Sequence, residues 1–171
     1  DLREIGSGST GATNVFRKVG KIPALIVFLI DVGKGSTAIL ITRHFLLGDN
    51  LQVAAGLAAL AGHIWPIWLG WKGGKAVATS LGILLGISWQ VGIACFGIFL
   101  TVFIFSKIVS LASIISALSL PLLMLISFQS SRFSTAFLAL ALATTVMVLW
   151  RHRDNIKRLI AGTESKINKN H

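Results

Sequence analysis

Two glycine-rich, basic stretches, GSGSTGATNVFRK over 6–18 and KGGK over 72–75, stand in an otherwise strongly apolar chain and offer the chemistry of holding phosphate. Glycine backbones can turn several N–H groups toward one anion, and a neighbouring Lys or Arg adds charge. The first stretch supplies Gly6, Gly8 and Gly11 among Ser7, Ser9, Thr10, Thr13 and Asn14, followed by Arg17 and Lys18; the second supplies Gly73, Gly74 and Lys75. A Walker-type loop is excluded, because Leu69 stands at its first Gly and Ala76 follows Lys75 where Ser or Thr would hold magnesium. Nucleotide hydrolysis is therefore not the expected chemistry. Either stretch alone is equally satisfied by a Gly-rich turn whose cations are solvated by lipid headgroups.

A third segment, RHRDNIKRLIAGTE over 151–164, adds Arg151, His152, Arg153 and Asn155. If the three segments meet, their cations suffice for two phosphoryl groups, more than a single lipid headgroup requires. Acid and base chemistry is tightly limited: Asp1, Glu4, Asp31, Asp49, Asp154 and Glu164 are all the carboxylates, and no His has an Asp four residues beyond it. The candidate base is His152, or the phosphate of a substrate acting on its own hydroxyl. Ser7 and Ser113 lack a local base with a third orienting group, so they read as hydrogen-bonding residues rather than nucleophiles.

The elements that must position these residues are membrane helices. Of 171 residues 54% are hydrophobic and 13% charged, and the apolar ones come in runs too long for a soluble core. The runs, at about 22–42, 53–71, 76–88, 90–106, 108–128 and 134–150, predict an all-α, polytopic transmembrane helix bundle of six spans. About 20 residues cross the hydrocarbon core, so the 76–106 stretch reads as two short spans turning near Ser88 to Gln90. One integral membrane domain over 1–171 is expected, with motif segments at about 3–21, 72–75, 107–113 and 151–171 on one face.

Six crossings put Arg3, Arg17, Lys18, Lys21, Lys72, Lys75, Lys107, Arg151, Arg153, Lys157, Arg158, Lys166 and Lys169 on that face and leave only Arg43 and Arg132 opposite. Such asymmetry makes the motif face cytoplasmic. Trp65, Trp68, Trp71 and Trp150 fit headgroup anchors. The net charge of +10 comes in short blocks at span ends, with no basic face for a nucleic acid duplex; anionic headgroups and substrates fit better. Asp31 and Lys34, three residues apart at mid-span, are neighbours on a helix face and form either a structural bridge or part of a polar pocket. His63 reads as a hydrogen-bonded packing residue. Cys95, the single cysteine, reads as a small packing group, and no metal-ligand constellation is present. The opening DLREIGSGSTG does not resemble a cleavable signal, and an earlier segment is expected to precede it.

The segments SGSTGATNVFRKVGK, GHIWPIWLGWKGGKAVATSLG, SLAS at 110–113 and RHRDNIKRLIAGTE closely resemble the bacterial acyl-phosphate-dependent glycerol-3-phosphate acyltransferases, over essentially the whole chain. That family carries a membrane helix before its first motif, which implies seven spans in the intact protein. Ser9 and Thr10 stand where the family commonly has Asn-Pro. The resemblance implies acyl transfer from acyl phosphate to the 1-hydroxyl of glycerol 3-phosphate, giving lysophosphatidic acid and phosphate, without cofactor, metal or coenzyme A thioester. It assigns Ser7, Gly8, Gly11, Thr13, Asn14 and Arg17 to a first phosphate loop and Lys75 with Gly73 and Gly74 to a second. Ser113, His152 and Asn155 would orient the acceptor or the reacting carbonyl. The competing class is a membrane transporter of an organic phosphate, which should show matching halves or polar groups reaching both faces; no internal repeat is visible.

Overall fold

The computed structural model describes residues 1–128 and 134–167; Arg132 and Lys169, counted in the charge asymmetry, lie outside the described residues. The described elements are all helical: α1 (Ala12–Lys18), α2 (Lys21–His44), α3 (Asp49–Ile64), α4 (Val77–Ile87), α5 (Trp89–Ser106), α6 (Val109–Phe128), α7 (Thr135–Arg151) and α8 (Arg153–Ile160), with a 3-10 turn at Ile67–Leu69. Each expected apolar run forms a helix, and the break inside 76–106 falls at Ser88. Four stretches among the described residues are long and apolar enough to cross a membrane, and the pair Thr135–Arg151 and Arg153–Ile160, bent by 62°, makes a fifth if taken as one span. Leu25, Leu29, Leu40, Ile104, Leu122 and Val146 point outward, each more than half exposed, as lipid-facing side chains do.

Two sequence expectations need correction. The second span does not run helically to residue 71: α3 stops at Ile64 because Pro66 lacks an N–H and forces Trp65 out of the helical region, to φ −126 and ψ 63. The first glycine-rich stretch is a loop only to Gly11; ATNVFRK, free of glycine, coils into α1 and carries Thr13, Asn14 and Arg17 on a helix.

The chain divides into two compact units, one from Asp1 to Ile87 and one from Ser88 onward. In the first, α2 packs on α1, α3 and α4. Its contact with α4 is backbone to backbone. A Cβ on Gly82 would lie 2.0 Å from Val32 O, and one on Gly35 2.3 Å from Thr79 O. Small residues at such a crossing let helices approach where no hydrophobic force drives them together. At about 1.5 Å per residue, 11-residue α4 is about 16 Å long, half the hydrocarbon core. It starts beside the middle of α2 and ends beside its last turn, where the Arg43 guanidinium donates to Gly86 O at 2.7 Å. Gly82→Leu should cost about 3 kcal/mol or more by forcing the helices apart, read as loss of folded, monodisperse protein in detergent.

In the second unit α6 packs on α5 and α7, and hydroxyls join them. Ser116 Oγ donates to Cys95 O at 2.8 Å. Pro121 inside α6 cannot donate to Ala117 O, and Thr145 Oγ1 of α7 stands 2.8 Å from that carbonyl and 2.9 Å from Ala141 O. One hydroxyl thus serves the acceptor that the proline leaves bare.

Candidate active site

The first loop is built around one amide. Asn14, 2% exposed, accepts from Ser7 N–H at 3.1 Å through Oδ1, and its Nδ2 donates to Leu2 O, Ile5 O and Ser9 O at 3.1, 3.1 and 2.9 Å. Gly6, at φ +64, has no room for a side chain, since its Cβ would lie 2.2 Å from Asn14 Oδ1. Gly8, also left-handed, donates to Ile5 O at 3.2 Å, and Gly11 N–H reaches Ser9 Oγ at 3.3 Å. Asn14 therefore organises the loop, which leaves the Ser7 side chain at the exposed rim and Thr13 and Arg17 half-buried on α1. Arg3 Nη1 donates to Leu69 O at 3.0 Å, joining this loop to the 3-10 turn that leads into KGGK.

The second loop folds back on the end of α3. Gly73 N–H donates to Ile64 O at 3.2 Å and Gly74 N–H to His63 O at 3.1 Å. Both N–H groups are thus used in shaping the turn, and Lys75 follows it half-buried. The chain enters α4 through Ala76, 1% exposed and at φ +63, a left-handed geometry that costs an L-residue about 1–2 kcal/mol. A strained residue at that point fixes the direction in which Lys75 leaves the backbone.

In the second unit His152 lies at the bend between α7 and α8, closing one helix and opening the next. It is 2% exposed, with Nδ1 2.8 Å from Val148 O. A carbonyl only accepts, so the contact with Val148 O puts a proton on Nδ1. Asn155, one turn on, donates from Nδ2 to Glu164 Oε1 at 2.6 Å. Ser113 is 3% exposed and donates to Val109 O at 2.9 Å, keeping its oxygen lone pairs for a donor.

Glu164 is the residue that sequence reasoning passed over, although it closes the GTE of the third segment. Its carboxylate, 4% exposed, accepts from Ser110 Oγ of α6 at 2.7 Å, from Asn155, and from Arg158 Nε at 2.6 Å. Ile167 N–H then donates to Lys107 O at 2.8 Å, pinning the tail to the α5–α6 turn. Burial pushes the Glu164 carboxyl up, but the hydrogen bonds from Ser110, Asn155 and Arg158 and the Arg158 charge outweigh it and hold it below the ordinary value. A depressed carboxyl stabilises the fold above its unfolded value of about 4.3 and loses that contribution as pH falls through its folded value. Protection of the Ile167 amide, taken relative to its intrinsic exchange rate at each pH, should accordingly be high at neutral pH and fall below about pH 4, and Glu164→Gln should lack that protection already at neutrality.

Within each unit, then, predicted residues come together: the two glycine loops through Arg3 and the α3 end, and the SLAS segment with the basic tail through Glu164. The family model described as glycerol-3-phosphate acyltransferase matches residues 1–162. Proteins of that name from Prochlorococcus marinus (strain MIT 9313) and Parasynechococcus marenigrum (strain WH8102) are 70% and 64% identical over 167 residues, covering 98% of this chain and 81% and 77% of theirs. The glycerol 3-phosphate form of PlsY (YgiH), an integral membrane glycerol 3-phosphate acyltransferase, superposes with a TM-score of 0.91 at 36% identity over 98% of this chain and 82% of that one. Its lysophosphatidic acid form gives 0.88 at 35% identity, over 95% and 82%. With a match along nearly its whole length, in sequence and in fold, the chain belongs to the glycerol-3-phosphate acyltransferase family.

Proposed function

We propose that the chain transfers a fatty acyl group from acyl phosphate to the 1-hydroxyl of glycerol 3-phosphate, releasing lysophosphatidic acid and inorganic phosphate. The observation that carries the reading is the close match to PlsY, a glycerol 3-phosphate acyltransferase solved in a glycerol 3-phosphate form and a lysophosphatidic acid form. The hydroxyl oxygen bonds to the carbonyl carbon, the carbon–oxygen bond to phosphate breaks, and the hydroxyl proton passes to His152 Nε2 or to a substrate phosphate. Phosphate leaves readily, so no covalent enzyme intermediate, metal or cofactor is needed.

In this reading Lys75 and Arg17 neutralise the phosphoryl groups, while Gly8, Gly11, Thr13 and Ser7 line the first loop. Asn14 shapes that loop, and Gly73 with Gly74 shapes the turn that presents Lys75. Ser113, His152 and Asn155 of the second unit orient the acceptor and receive its proton. The whole chain acts as one domain of a bacterial cytoplasmic membrane, with the motif face cytoplasmic, as the cation asymmetry and the bacterial relatives support. In this reading the sixth crossing is made by α4 together with the turn that leads into it, since α4 alone covers half the hydrocarbon core. The acyl chain lies among lipid-facing helices.

The test is phosphate release from a synthetic acyl phosphate by the purified protein, with and without glycerol 3-phosphate, beside an acyl-coenzyme A control. Release that depends on the acceptor and occurs with acyl phosphate alone supports the reaction and its donor. Absence of release from folded protein would transfer the case to organic-phosphate transport, measured as uptake into vesicles.

A further inference from the structure

Three ionisable side chains outside the assigned site meet beneath the KGGK turn. Asp31 and Lys34 stand on one face of α2, and His63 arrives from the last turn of α3, 29 residues beyond Lys34. Lys34 Nζ lies 2.6 Å from Asp31 Oδ1 and 2.5 Å from His63 Nδ1, and Asp31 Oδ1 is 3.3 Å from that same nitrogen. Asp31 and His63 are buried, at 7% and 9% exposed. Lys34 and Asp31 thus both reach His63 Nδ1, and the pair grips the ring by that nitrogen. The Nε2 edge faces the glycine turn: a Cβ on Gly74 would lie 2.0 Å from Nε2, and one on Gly73 2.1 Å from His63 O.

We infer that Asp31, Lys34 and His63 form a positioning relay, in which an ion pair buried at Asp31 and half-exposed at Lys34 fixes the height of the His63 ring, the KGGK turn rests on that ring, and Lys75 is thereby aimed. The inference rests on the assignment of Lys75 made above. A charged pair midway along an apolar helix is costly and needs a return. Tying helices together would need no imidazole, whereas the relay accounts for all three side chains and for glycine at 74. It also explains how Ala76 is kept left-handed: the turn before it is seated on a ring that cannot shift without breaking the Lys34 contact. None of the three residues is asked to touch substrate.

The experiment is a double-variant cycle with an independent structural readout. His63→Asn keeps an acceptor near the Nδ1 position for Lys34 and removes the edge beside Gly74; Gly74→Ala drives a Cβ into that edge. Each single variant should lower turnover on the order of 100-fold, the size of loss expected when a catalytic group moves by about 1 Å, with folded yield unchanged. The pair should be no worse than either single variant and regain part of the loss, because the space vacated by the ring accepts the new methyl. Lys34→Met, at a half-exposed position, should reproduce the loss if His63→Asn does not fold. Amide exchange at Gly73 and Gly74 should accelerate in His63→Asn and in Lys34→Met. Losses that multiply in the double variant, or unchanged exchange at the two glycines, would overturn the relay. If the wild-type protein transfers no acyl group, the functional reading fails, and the exchange measurement still decides whether the relay exists.

Discussion

Lys75→Ala is expected to lower acyl transfer by on the order of 1,000-fold while leaving the protein folded. As the acceptor oxygen attacks, negative charge grows on the carbonyl oxygen and on the departing phosphate, and loss of one well-placed donor in a water-poor site costs about two to three orders of magnitude. Lys75 is half-buried, and left-handed Ala76 behind it fixes its departure from the backbone. Stability should hardly change, since the tight α2–α4 contact is made by Gly35 and Gly82, on the helices beyond the turn. Lys75→Arg should rescue poorly, because a planar guanidinium fork does not replace a compact ammonium. The readout is turnover beside thermal unfolding of the same preparation, and full activity in a folded Lys75→Ala protein would remove the residue from the site.

The second large effect is at His152. His152→Gln should cut turnover by about 100-fold or more if the ring accepts the hydroxyl proton. A loss of only a few-fold would assign the proton to a substrate phosphate instead. Because Nδ1 is 2.8 Å from Val148 O at the helix bend, the variant is also checked for its α7–α8 geometry by circular dichroism.

Hydropathy and charge made the helices legible, because in lipid an apolar run must satisfy its backbone internally and has little choice but to coil. Thus α2, α5 and α6 fall within a few residues of their apolar runs, and the break at Ser88 follows from a stretch too long for one span. Local chemistry was legible too: the Asp31–Lys34 pairing follows from helical spacing alone. Their union with His63 was not, since it joins residues 29 apart in sequence through packing of α3 on α2. The glycines were read as anion cradles, yet Gly6 and Gly74 owe their lack of a side chain to Asn14 and His63, which no motif spacing reveals. Glu164 escaped for the same reason, since its three donors come from α6 and α8 while it stands in the tail beyond them. Pro66 was the signal available for the early end of α3, and the apolar Trp residues beyond it masked that signal.

The short α4 bears on how the enzyme would count its substrates. Because α4 begins beside the middle of α2, the KGGK turn lies about 15 Å along α2 from Lys21, far from the level at which that helix starts. A water-soluble acceptor would reach that turn from the aqueous side, whereas a donor dissolved in the bilayer would arrive sideways by lateral diffusion. The rate would then follow the number of donor molecules per lipid, so diluting the donor with inert phospholipid at fixed bulk concentration would slow the reaction, and diluting the acceptor with buffer would act as in ordinary solution kinetics.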